Sequence, residues 1–321
     1  MTVLLRFLLC LLVLSAAAHA DEYPSRPVRM VSPAAPGSAL DLFARALADS
    51  LAKRWGQAVV VESKSGAGGS IAAQAVTQSR ADGYTLFITT DAVLVANRFA
   101  FSKLPYDPDR SFSPISLLVQ SDQLIVANAS VPVTNFRELI AYSKSNPKAL
   151  AYGRWSLGSS PHLLFETMNK VAGTTILGVP YRGVGPVTQA MMGNEVQLTA
   201  MSSATASTAM KTGKINALAI AAPRRSPVYP NVPTTAELGY PQLRASIWFA
   251  LLAPAGLPQP ITDKVERDVR VVLQSPAFFA ANESLRAWTV VASSPAGLLE
   301  IVAQEVPTMG EMMKAAEVKP E

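Results

Sequence analysis

Short β-branched or apolar runs alternate along this chain with longer segments whose apolar residues recur every three or four positions. Residues 28–31 form the first run. Leu40, Phe43, Ala44, Leu47, Leu51 and Trp55 form the first set at helical spacing. Gly56 supplies a helix stop, and Ser38 with Asp41 three residues later resembles a capping box with Asp in place of the usual Glu. Residues 32–41 are thus expected to be a strand-to-helix turn. The first N–H groups of its helix and the helix dipole suit a small anion, although such turns also occur with no ligand.

The alternation continues to the end of the chain. A strand is expected at 58–61. A glycine-rich stretch at 63–70 follows it, then a small-residue helix capped by Ser70. A strand at 84–89 leads to Asp91, which opens a helical stretch. Two extended runs, 115–119 and 124–127, are separated by a polar break at 120–123. Asn135 with Glu138 is a capping box for a helix to about residue 145. After a short strand at 150–152 and a loop at 153–159, Ser160 and Pro161 read as N-cap and first helical residue of a helix to 171. Further strands are expected at 176–179, 196–200, 217–221, 247–253 and 290–291. Helices are expected after the turn 180–186, near 203–211, and at 261–273 and 298–314.

Strands alternating with helices argue for parallel α/β layers. The polar break at 120–123 marks a crossing between two lobes. The first lobe then comprises 21–121 with 245–321, and the second comprises 122–244. Such a chain places its ligand at the carboxyl ends of strands, in the crevice between lobes. Two strand-to-helix turns, 34–41 and 154–161, are the candidates to face it.

Composition narrows the chemistry. Residues 1–20 read as an export signal, with Arg6, an apolar run at 7–14 and Ala18-His19-Ala20 as cleavage site. The apolar run is too short to span a membrane. The single Cys and one of the two His lie within that segment, so residues 21–321 hold His162 and no thiol. Disulfides, Cys-bearing zinc sites and a Cys nucleophile are therefore excluded. No G-x-S-x-G elbow supplies a serine nucleophile. A hydrolase built on Ser159 and His162 would lack a supporting acid, and no catalysis is expected. The glycine stretch has Ile71 where a dinucleotide fingerprint needs Gly, and no P-loop Gly-Lys-Ser/Thr is present. No cofactor and no metal are expected. The formal net charge of +5 is not clustered into a basic run, which argues against nucleic acid and weakly favours small anions.

An ordered set of short motifs now bears on identity. It includes Tyr23-Pro24-Ser25-Arg26-Pro27, Pro36-Gly37 with Asp41, Gly66-Ala67-Gly68-Gly69, Asp82-Gly83-Tyr84-Thr85-Leu86 and Leu104-Pro105-Tyr106-Asp107-Pro108. Gly158-Ser159 with His162-Leu163, Val179-Pro180-Tyr181-Arg182-Gly183, Val232-Pro233-Thr234, and Trp248 with Ala253-Pro254-Ala255-Gly256 continue it. Together they resemble the Bug-type substrate-binding proteins of tripartite tricarboxylate transporters.

The resemblance implies a type II periplasmic-binding-protein-like α/β fold whose two lobes close on a small organic anion, a carboxylate, held largely by backbone groups. Carried over by position, the ligand-binding residues are Ala34, Ala35, Gly37, Ser38 and Ala39 in the first lobe, and Gly158, Ser159 and Arg182 in the second. It also implies a periplasmic monomer with two integral-membrane transporter components as partners. A ligand sensor signalling to a membrane protein is the alternative.

Departures from the family pattern concern the ligand. Ala34 replaces a large residue and Ser38 a second Gly. Ala190 and Met201 stand at positions that are usually acidic, and Arg154 and Trp155 where small residues are usual. Arg154 is open to reading as a bidentate fork for a carboxylate or as an exposed loop residue. Trp155 is open to stacking on a ligand or packing on its loop. Asp91 is open to pairing with a ligand amine or to capping a helix. His162, two residues into its helix, is expected to serve as a structural hydrogen-bonding group.

Overall fold

The computed structural model describes residues 23–320, apart from 156, 227, 281–284 and 286–287. The expected export segment lies outside the described residues. Among those described, no helix is long and apolar enough to cross a membrane.

The chain runs β1 (Val28–Ser32), α1 (Ala39–Trp55), β2 (Val59–Ser63), α2 (Ser70–Thr77), β3 (Thr85–Thr90), a π-helical turn (Ala92–Ala96) and α3 (Asn97–Ala100). Next come β4 (Phe112–Asn128), α4 (Phe136–Ser145), β5 (Ala151–Arg154), α5 (Ser160–Ala172), β6 (Leu177–Pro180), α6 (Val184–Met192), β7 (Leu198–Ser202) and α7 (Ser203–Met210). β8 (Ile215–Ile220), β9 (Ser246–Pro254), α8 (Gln259–Gln274), α9 (Pro276–Ala280), β10 (Thr289–Val290) and α10 (Pro295–Ala315) complete it.

The strands form one sheet in the order β2-β1-β3-β9-β4-β7-β5-β6, with β8 and β10 also on β4. β4 makes the fold two-lobed. Its first part pairs with β9 from Phe112 to Asp122, and its second part pairs with β7 from Gln123 to Ala127. Where sequence reading expects two runs parted by a polar break, a single 17-residue strand passes from one lobe into the other. Ser121 and Gln123 are buried at the crossing. There the Ser121 hydroxyl accepts from the Ser203 N–H, and the Gln123 carbonyl accepts from the Ala221 N–H.

The sheet is also less parallel than strand–helix alternation suggests. β1 pairs parallel with β2 and β3, and β5 with β6 and β7, but β9 runs antiparallel to both β3 and β4. β4 leaves the first lobe for the second and β9 comes back from the second lobe into the first, so the two run in opposite directions beside each other.

Apolar clusters cover both faces of the sheet in each lobe. In the first, Phe43 packs edge-on against Phe249 and Phe278 at 5.5 and 5.7 Å between ring centroids. In the second, Tyr152 stacks on Phe165 at 4.8 Å. α10 belongs to both lobes: Leu298 and Val302 pack with the first, Met312 and Met313 with the second.

Two helix starts differ from their sequence reading. α2 is capped by Gly69, with Ser70 as its first residue. α5 is capped by Ser159, with Ser160 first and Pro161 following.

Candidate functional site

A cavity of about 1030 Å³ lies between the lobes. The first lobe contributes Gly68, Thr90, Asp91 and Asn97, and the second contributes Trp155, Gly158, Ser159 and Leu163. The two crossings form its back with Gln120, Asp122 and residues 244–247, while Glu305, Thr308, Met309, Met312 and Met313 of α10 form a further wall.

Several of these residues stand where strand ends require. Asp91 follows β3, the Trp155–Ser159 stretch follows β5, and Ala221 to Pro223 follow β8. Asp91 also begins a π-helical turn rather than a regular helix, a rare geometry that recurs at functional sites. The glycine stretch is anchored here. Asn97 is buried and donates its side-chain N–H to the Gly68 carbonyl at 3.0 Å and to the Tyr106 hydroxyl at 2.9 Å. Gly68 has φ +60°, and a Cβ there would meet Asn97 Oδ1 at 2.9 Å and Phe101 at 3.1 Å. The glycine thus allows close approach to the cavity wall, not phosphate binding.

On the opposite wall, Gly158 has φ +71° and donates its N–H to His162 Nδ1 at 3.0 Å. An Nδ1 acceptor is unprotonated, so His162 fixes the loop ahead of α5. Burial, reinforced by the positive charge of Arg154, holds its pKa below the usual imidazole value, against a smaller opposing effect of Glu166. This is the structural role expected of His162.

The acidic groups of the cavity are unusual. Burial and the neighbouring Glu305 push Asp91 up to about 8, although the Trp248 backbone N–H opposes the shift. Glu305 is raised mainly by burial, while its carboxylate accepts Trp248 Nε1 at 2.8 Å and the Ser246 hydroxyl at 3.0 Å. Asp122 is raised by burial as well. Arg244 is the basic residue on the lining, and it is hydrogen-bonded to Thr308. Among the described residues, no group of acidic, His or Cys side chains is placed to hold a metal ion.

Of the expected ligand-binding residues, Asp91, Trp155, Gly158 and Ser159 line the cavity; Ala34, Ala35, Gly37, Ser38, Ala39, Arg154 and Arg182 do not. The early turn is largely satisfied within itself. The Ala34 N–H donates to the Ser32 hydroxyl, the Ser38 N–H to the Ala35 carbonyl, and the Gly37 N–H to the Asp41 carboxylate. Arg154 is part-buried at the end of β5, and Arg182 is exposed in the turn before α6. Sequence reasoning passed over Glu305 and the methionines of α10, although Ile301, Glu305, Met309, Met312 and Met313 share one helical face.

The sequence model described as the tripartite tricarboxylate transporter family receptor matches residues 43–320. Protein BugT of Bordetella pertussis is 36% identical over 281 residues, covering 87% of this chain and 86% of BugT. The structure of R. palustris Rpa4515 with adipate superposes with a TM-score of 0.84 at 31% identity, covering 94% of this chain and all of that one. MatC from Rhodopseudomonas palustris with bound malate gives 0.78 at 31% identity, covering 91% of this chain and all of the other.

Proposed function

Because this chain belongs to the tripartite tricarboxylate transporter receptor family, we propose that it captures a small organic carboxylate between its lobes in the periplasm and delivers it to two integral-membrane transporter components. The observation that carries this reading is the interlobe cavity, walled from both lobes and from both crossings. Proteins of the same fold hold adipate and malate, which places aliphatic carboxylates first among candidates. The role is binding without catalysis. His162 spends Nδ1 on the Gly158 N–H, which favours a loop-holding role over that of a base for Ser159. Closure follows from ligand contacts made on both walls, which favour the state that brings the lobes together.

Thermal unfolding of ligand-stripped protein against a panel of carboxylates tests the reading. A true ligand at a hundredfold over its dissociation constant adds about 2.7 kcal/mol of stability. The same ligand should reduce the radius of gyration in solution scattering. A panel of aliphatic, amino-acid and aromatic carboxylates that shifts neither quantity would sink the proposal.

A further inference from the structure

α10 passes from one lobe to the other, as β4 and β9 do, and it carries a proline where it passes. Leu298 and Val302 are buried in the first lobe, and Met312 and Met313 in the second. Pro307 lies between the two pairs and is exposed. Lacking an N–H, it leaves the Ala303 carbonyl without its partner one turn on. Its ring also crowds that carbonyl, so the helix is weakest at this turn.

Neighbouring side chains place the weak turn at the lobe boundary. Before Pro307, Glu305 accepts the Ser246 hydroxyl at 3.0 Å and Trp248 Nε1 at 2.8 Å. After it, Thr308 accepts from the Arg244 guanidinium. Trp248 is buried in the first lobe, whereas Leu243, next to Arg244, is buried in the second. Each half of α10 is thus tied to the part of the β9 crossing that belongs to the same lobe. Asp122 of β4 pairs with Ser246 at this level, so all three crossings meet there. Beyond the proline, α10 meets the first lobe at Gly310, where a Cβ would come within 3.1 Å of Phe99. Bare backbone at that contact has no side chain to interlock, which suits sliding.

Resting on the two-lobed receptor reading above, we propose that α10 is a hinge broken at Pro307, whose second half travels with the second lobe. An unbroken helix fixed to both lobes would be a strut that resists their closure, and the proline lets it bend at one turn. The bend then sets how far the Gly158–Ser159 wall stands from the Asp91 wall before any ligand arrives. Pro307 is a positioning residue, acting on capture through the angle between the lobes.

Paired spin labels test this with no ligand present. The full chain with Cys10→Ser has no other cysteine. Into it are placed three pairs at exposed sites: Lys53→Cys with Glu300→Cys, Lys53→Cys with Lys314→Cys, and Lys170→Cys with Lys314→Cys. Lys53 lies on α1 in the first lobe and Lys170 on α5 in the second. The eight residues of α10 beyond Pro307 make an arm of about 12 Å, and a bend of about 20° moves its end by about 4 Å. The expected result is a 53–314 distance distribution broader than those of the two pairs within one lobe. In Pro307→Ala its mean should shift by about 4 Å while the other two stay in place. A 53–314 distribution as narrow as that of 53–300 overturns the inference, since α10 then moves as one rod with the first lobe. So does a Pro307→Ala shift under about 1 Å. If Pro307→Ala does not fold, the widths in the unaltered chain still decide. Failure here leaves the carboxylate reading standing, because that reading is tested by the ligand panel alone.

Discussion

The backbone N–H of Gly37 donates to the carboxylate of Asp41 at 2.9 Å, so the chain supplies its own anion at its first strand-to-helix turn. The Asp41 side chain also receives the Arg45 guanidinium as a fork, both contacts at 3.0 Å, and the Ser63 hydroxyl at 3.3 Å. The residue is 2% exposed. An internal carboxylate thus takes one N–H group, that of Gly37, in the turn that sequence reasoning offers to a ligand.

Asp41→Ala should lower unfolding stability in urea by about 1.5–3 kcal/mol, the range for hydrogen bonds to a charged group. Hydrogen bonding from Arg45 holds the Asp41 pKa below 3.8 in spite of burial. A depressed folded value means that its contribution is complete above pH 3.8 and is lost as pH falls through the folded value. The stability difference between the two proteins should therefore shrink in acid; a constant difference from pH 7 to pH 2 would remove this assignment.

His162 should titrate below 6.5 by NMR, since burial disfavours its charged form. The sign follows: the neutral ring stabilises the fold fully above pH 6.5, and that stability is lost as pH falls and the ring must charge. His162→Ala should cost about 1 kcal/mol, the net worth of an ordinary hydrogen bond, and weaken ligand binding by less than tenfold. Total loss of binding in a folded variant would make His162 a ligand contact.

Gly158→Ala forces a side chain into the left-handed region and against Met313 of α10. The backbone part of the cost is roughly 1–2 kcal/mol. Combining it with Met313→Ala should return the steric part of the stability loss but not the backbone part, which a double-mutant cycle in urea unfolding would resolve as a coupling between the two sites. Strict additivity would mean the loop and α10 move apart freely.

Asp268 on α8 is buried, and it accepts Arg54 Nε at 2.7 Å and Trp55 Nε1 at 2.8 Å from the end of α1, with Lys264 Nζ at 3.0 Å on its own helix. Burial would raise its carboxyl, but these three donors together bring it below the usual value. Asp268→Ala should destabilise by about 3 kcal/mol, the lower end for breaking a buried pair, because Arg54 and Lys264 keep partial contact with water. Differential scanning calorimetry should show this with ligand affinity unchanged.

The alternation of elements was readable because local signals recorded it. The Ser38 and Asn135 side chains accept from Asp41 and Glu138 N–H as their spacing suggested, and Gly56 ends α1. The continuity of β4 was not readable, because Ser121, Asp122 and Gln123 look like a loop unless Ser203 and Ala221 are known to face them. The four cavity residues found from sequence, Asp91, Trp155, Gly158 and Ser159, all follow strands and carry that local mark. Glu305 does not. It lies mid-helix far along the chain, and only tertiary packing brings it to Asp91. Polar residues whose partners are distant in sequence leave no periodic trace.

β9 occupies the middle of the first lobe's sheet, between β3 and β4, yet it is made of residues 246–254. As the chain emerges N-terminus first, β2, β1 and β3 can assemble early, but β3 then presents a bare edge until the whole second lobe has been made. The first lobe to begin is thus the last to finish. A chain cut short near residue 245 would keep most of its length and still expose unpaired backbone on β3 and the first half of β4, the kind of edge that recruits other chains. For this architecture the hazardous fragments are the long ones.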